Sequence, residues 1–170
     1  MKGVCKLYHT TAELRESHIF PKFIIEYFKR TGSRYLRPFS NPNKRMQDGI
    51  TKPFFSHEAE QTFSIREKWF AEHIFRPFMS GEKKAFIYDD SLYYFLLSMI
   101  YRALLLELDT GLYQKDRYYG LLLEAAEEWR LFLSNGSRPK RFDEVNLFFT
   151  EHIINHNFWV MGQTIISPEP

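Results

Sequence analysis

The spacing of apolar and polar positions changes several times along the chain. Between residues 5 and 20, short apolar–polar alternation around Leu14 and Ile19 predicts a small hairpin, because successive strand side chains point to opposite faces. Pro21 then opens PKFIIEYFKR, in which Phe23, Ile24, Tyr27 and Phe28 recur at helical spacing. Proline suits the first turn of a helix, and Thr31-Gly32 closes this one. The segment SRYLRPFSNPNKRMQDGITKPFF has three prolines, two asparagines and no helical period. Its Asp48-Gly49 pair predicts a turn between short strands at 44–47 and 50–55, with Pro53 confining the second strand to a sheet edge or shortening it.

From Ser56 the period becomes helical. Ala59, Phe63, Phe70 and Ile74 fall near one face, Ser56 is a suitable N-cap, and Glu58 and Glu60 stand in the first turn, where the helix dipole favours acids. Pro77 ends or bends this helix. After a polar loop at 80–85, Asp89, Asp90 and Ser91 offer a cap for a long helix reaching Thr110-Gly111. Its apolar stripe is Leu92, Phe95, Leu96, Met99, Ile100, Ala103 and Leu104. A further helix is expected over 113–134, stopped by Asn135-Gly136, with Arg117, Glu124, Glu127, Glu128 and Arg130 facing water. Beyond Arg141 the patches VNLFF, FWVMG and TII fit strand or helix equally. Together these elements predict an α+β fold, in which a small irregular region, residues 1–68, precedes a mainly helical body, residues 69–170.

Composition narrows this picture. The most apolar run, SLYYFLLSMIYRALLLEL, carries Arg102 and Glu107 and is short for a membrane span, so it reads as a buried helix and no membrane partner is expected. MKGVCKLYHTT has no leader-like apolar run, and a single cysteine allows no intramolecular disulfide. Both fit a cytoplasmic protein. Aromatic residues make up 18% of the chain, enough to fill a core and to line a partner surface.

The net charge of +2 hides an asymmetry. Residues 1–68 hold 13 basic and 7 acidic side chains, or +6, and the remainder 10 and 14, or −4. Within Lys29–Lys52 there are seven bases against one acid, Asp48. Tyr35 and Phe39 interleave these charges, a pattern suited to a solvated loop or to a nucleic-acid surface.

Four stretches carry chemistry in order: CKLY, LRESHIFPKF, NKRMQDG and FFSHEAEQTFSIRE. Over roughly the first 70 residues they resemble bacterial HNH-type (ββα-metal) endonucleases with a four-cysteine zinc knuckle. The pattern of that family is approximately C-x-x-C, L-x-x-SHI-x-PK, a basic loop ending QDG, and LLC-x-x-CE-x-x-FS-x-x-E. Only Cys5 of the four knuckle cysteines is present, and Tyr8, Ser56 and Ala59 take the other positions. Those side chains cannot replace three thiolates, so a structural zinc of the family's kind is not expected. An improvised site could draw on Cys5, His9, His57 and Glu60, but His9 and His57 also suit an ordinary surface. Packing of Tyr8, Phe54 and Phe55 is the expected substitute for the metal clamp.

The resemblance implies a single Mg²⁺ or Mn²⁺ and a histidine that activates water against a phosphodiester of DNA or RNA. Carried over by position, His18 is the general base, Asp48 the QDG acid and Glu60 the acid after the last knuckle position; these three are also the implied metal set. Glu67 is the later acid on the same helix. Arg34, Arg37, Lys44 and Arg45 would grip phosphates. Each residue also has a structural reading: His18 bonded to backbone, Asp48 serving the turn before Gly49, and Glu60 and Glu67 as helix acids. In the alternative to a nuclease, the scaffold is catalytically inactive and binds a protein partner or itself. Other chemistries find less support. The glycines form no phosphate loop, Cys5 lacks a nucleophile signature, HEAEQ has Gln61 where a metalloprotease needs a second histidine, and His152 and His156 share an i, i+4 spacing without an acid partner.

Overall fold

The computed structural model describes residues 1–31, 35, 43, 45 and 48–147. Strands β1 (Lys2–Val4) and β2 (Thr11–His18) form an antiparallel hairpin whose first strand lies before the expected 5–20 segment, with Gly3 opposite Ala12. Strand β3 (Thr51–Ser56) pairs antiparallel with the other side of β2, giving the order β1-β2-β3. The β2–β3 register slips by one residue: Arg15 faces Phe55, whereas Ser17 faces Lys52. Pro53 falls in this slip and, with no N–H, cannot complete the ladder. β3 is the edge of the three-stranded sheet, the first of the two outcomes expected of Pro53. Most of the strand expected at 44–47 lies outside the described residues.

Helix α1 (Lys22–Thr31) starts directly after the buried Pro21. Its buried residue is Ile25, while Phe28, assigned to the apolar stripe from spacing, is 56% exposed. Phe23 and Tyr27 of α1 meet the Phe75 ring edge-on, with centroids 5.1 and 5.2 Å away. Helix α2 (His57–Phe70) is capped by Ser56, whose hydroxyl accepts from the Ala59 N–H. It passes through a π-helical turn, Ala71–Phe75, into the short α3 (Arg76–Met79). The Arg76 N–H bonds the Ala71 carbonyl, and this wider turn comes just before Pro77. Pro77 therefore reshapes the helix without ending it, since a wider turn accommodates a residue that has no N–H to donate.

Helix α4 (Asp90–Asp109) is the central element, capped by the Asp89 carboxylate, which accepts from the Leu92 N–H at 2.9 Å. Leu92, Phe95 and Leu96 are buried as their spacing requires, but so are Tyr93, Leu97, Tyr101 and Arg102. Met99, Ile100, Ala103 and Leu104 are only half-buried. α4 is thus packed on more than one side. By length and composition it could also cross a membrane, with a mean hydropathy of 1.3 over its most apolar stretch.

Helix α5 (Tyr119–Asn135) begins later than residue 113 because the preceding residues form turns, with the Asp116 carboxylate accepting from the Tyr118 N–H. Gly136, at φ 81°, supplies the left-handed residue that stops it. Arg130, expected to face water, instead packs inward, with its side chain 14% exposed.

One core cluster joins the sheet to the helices through Cys5, Leu7, Phe55, Phe63, Leu97 and Phe132. A second joins Phe70 and Ile74 to Leu92, Phe95 and Leu96, with the Phe70 and Phe95 rings stacked at 3.9 Å. Residue 68 lies inside α2, so the larger cluster spans both the 1–68 and 69–170 regions.

Candidate functional site

The loop between β1 and β2 is a tight knuckle. The Cys5 N–H bonds Thr10 O and the His9 N–H bonds Cys5 O, both at 2.9 Å, and His9 takes a positive φ of 55°. The Lys6 N–H reaches across to Phe54 O at 2.8 Å and docks the loop on β3. Cys5 is fully buried, and its Sγ accepts from the Ser56 N–H at 3.4 Å. Burial opposes ionisation of this thiol. The Ser56 hydroxyl and the amides of Ser56, Tyr8 and Leu7 outweigh it, leaving the pKa below the ordinary range. The Tyr8 and Thr62 hydroxyls bond at 3.2 Å, and Phe55 packs against Phe54, Phe63 and Tyr101. The two segments that bear the four knuckle positions are therefore fastened by rings, one thiol and backbone bonds.

Strand β2 ends in Ser17 and His18 and delivers them to the first turns of α2. Ser17 is fully buried, with its hydroxyl bonded to Arg15 O, whereas His18 is half-buried. Glu60 lies opposite them, and its Oε1 is buried without a hydrogen-bond partner among the described residues. Burial raises the Glu60 carboxyl above its ordinary range. The Ser17 hydroxyl, the Arg102 charge and the His18 imidazole act in the other direction, while neighbouring Glu67 adds to the rise. His18, Glu60 and Glu67 thus share one electrostatic neighbourhood.

The centre of that neighbourhood is Arg102, which reaches it from α4. Its side chain is 3% exposed. Nη1 donates to Glu67 Oε1 at 2.7 Å and to the His18 carbonyl at 3.1 Å, and Nε donates to Ser98 O at 3.1 Å. Its guanidinium lies 5.3 Å over the Phe63 ring. One cation therefore bonds the end of β2, α2 and its own helix. In the sequence Arg102 stands out only as a charge inside an apolar run.

Asp48 belongs to the turn before β3, whose Ile50 carbonyl accepts from the Ile19 N–H beside His18. It is 70% exposed and pairs with Lys29 of α1 at 3.5 Å. The adjacent Gly49 lies so close to α1 that a Cβ there would come within 2.5 Å of Ile25 Cδ1, so the turn is bound up with the docking of α1. His9 and His57 are exposed while Cys5 is buried. Among the described residues no three His, Cys, Asp or Glu side chains are grouped so that they could hold a metal ion. Neither His18–Asp48–Glu60 nor Cys5–His9–His57 forms a ligand set. Of the clustered acids Arg102 bonds Glu67, while Glu60 Oε1 is left without a hydrogen-bond partner among the described residues, and Asp48 pairs with Lys29.

Of the phosphate-gripping residues, Arg45 is exposed, with its guanidinium 5.2 Å over the Tyr35 ring. Arg34, Arg37 and Lys44 lie outside the described residues, as do His152 and His156. Lys52 pairs with Asp109 of α4 at 2.6 Å. No protein-family model, curated protein or solved structure matches the chain.

Proposed function

We propose that this protein is a non-cleaving, HNH-derived module that binds nucleic acid through the basic 29–52 segment. The observation that carries the reading is Arg102: a buried side-chain cation occupies the neighbourhood of His18, Glu60 and Glu67 and bonds one of the acids directly. A divalent ion bound through Glu67 would compete with a guanidinium that makes hydrogen bonds to three elements. Support for an HNH-derived scaffold comes from the antiparallel β2–β3 pair leading into α2, although α1 is inserted between the two strands. Binding then rests on phosphate contacts from Arg34, Arg37, Lys44 and Arg45, which position a polyanion without reading its sequence.

Two assays test this together. Supercoiled plasmid incubated with Mg²⁺ or Mn²⁺ is expected to remain intact. Fluorescence anisotropy with a labelled duplex is expected to show binding that weakens linearly in log–log form with salt, and that disappears when the four basic residues are replaced by glutamate. Nicking that is lost in His18→Ala would establish the nuclease instead. Absence of binding at low salt, together with a stable oligomer, would favour a protein-interaction role.

A further inference from the structure

The cavity bounded by the knuckle loop, α4 and α5 belongs to neither the cluster around Arg102 nor the basic segment. It measures about 480 Å³, within the usual range for small-molecule sites. Its walls are the facing stripes of the two helices: Leu105 and Leu108 from α4, Leu123 and Ala126 from α5. Phe54 and Tyr101 contribute aromatic surface. These positions face each other without closing the space between them, and Leu123 remains 45% exposed.

The charges around this cavity do not cancel. Asp109 is matched by Lys52 at 2.6 Å. Glu127 is matched by Arg130 through two 2.7 Å bonds, and Arg130 also donates to Leu7 O. Lys6 and His9 line the same cavity; neither side chain has a hydrogen-bond or ion-pair partner among the described residues, and His9 lies within electrostatic reach of Glu127. The acids are thus already partnered, while an ammonium and an imidazole are left exposed beside apolar walls. An apolar body needs those walls, and an anionic head needs those two residues.

We propose that this cavity binds a small amphipathic carboxylate, with its hydrocarbon part between α4 and α5 and its carboxylate at Lys6 and His9. The inference does not depend on the nucleic-acid reading. The backbone around the site is fixed independently of any ligand: the Tyr101 hydroxyl donates to Lys6 O, and the Lys6 N–H to Phe54 O. The Lys6 backbone is therefore held by the core, and the His9 N–H is bonded within the loop to Cys5 O.

Isothermal titration calorimetry of the full chain with octanoate, and with 1-octanol as its uncharged counterpart, tests the proposal. Octanoate is expected to bind saturably and more tightly than octanol. Lys6→Ala should weaken octanoate about two- to fivefold, the size expected of an exposed charge pair, and leave octanol unchanged. Leu123→Trp should abolish binding of both by filling the space. Both positions are exposed, so the variants are expected to keep the wild-type circular dichroism. Absence of saturable octanoate binding, equal affinity for the two probes, or indifference to either substitution would overturn the proposal.

Discussion

Replacing Arg102 by methionine keeps most of the apolar stem and removes the cation. Four hydrogen bonds are lost, to Glu67 Oε1, His18 O, Ser98 O and Met99 Sδ. Removing one partner of a buried ion pair costs about 3–5 kcal/mol, because the other charge is left uncompensated. Glu67 is 22% exposed and keeps some contact with water, which places the expected loss near the lower end, about 3 kcal/mol. For a chain of this size each kcal/mol corresponds to roughly 2–4 °C, so Tm should fall by roughly 6–12 °C. Urea unfolding followed by circular dichroism gives the free energy directly, and a double-mutant cycle with Glu67→Gln isolates the pair. In the cycle, Glu67→Gln should be much less damaging once Arg102 is absent than in the wild-type background. A loss below about 1 kcal/mol, as for a solvated surface pair, would refute the view of Arg102 as a buried strut. So would strict additivity in the cycle.

Two further outcomes follow from the same region. The Glu60 carboxyl titrates above its ordinary value of 4.5 in the folded protein, so the native state binds more protons than the unfolded chain over that window. Its contribution to stability is complete at lower pH and is lost as pH rises through the raised value. Glu60→Gln should therefore raise Tm at about pH 7 and leave it nearly unchanged at about pH 3.5, as checked by calorimetry at both; a lower Tm at neutral pH would contradict the assignment. The Cys5 thiol is buried despite its lowered pKa. It should resist Ellman's reagent in native buffer and react fully in denaturant, and rapid native reaction would show that the knuckle opens readily.

Local patterns in the sequence were informative wherever local physics decides structure. Ser56 and Asp89 are N-caps because their side-chain oxygens meet amide groups only three residues away. Gly136 stops α5 because a left-handed residue is required there. The second strand of the hairpin and the edge position of Pro53 were equally legible. Long-range relations were not. Arg102 meets Glu67 across 35 positions and His18 across 84, and no local period announces such partners. The usable signal was the presence of a single arginine inside an apolar helix, since such a residue when buried demands a partner. Asp48 shows how one residue carries two readings. Its position in a motif suggests a site, and in the fold it pairs with Lys29 while the glycine beside it serves the contact with α1. The late start of α5 reflects side-chain competition, because Asp116 bonds the local backbone and holds it in turns.

The π-helical turn at Ala71–Phe75 acts as a phase change. Each residue of an α-helix advances by about 100°, so one additional residue in a turn redirects everything downstream by about that angle. Upstream of it, Phe70 addresses Phe95 of α4; at its end, Phe75 addresses Phe23 and Tyr27 of α1. A single continuous segment in this way meets α1 from both sides of the turn, since Phe70 also lies against Phe23. Excising one residue here would rotate Phe75 off Phe23 and Tyr27 and leave α1 held through the Phe23 contacts with Phe70 and Phe95.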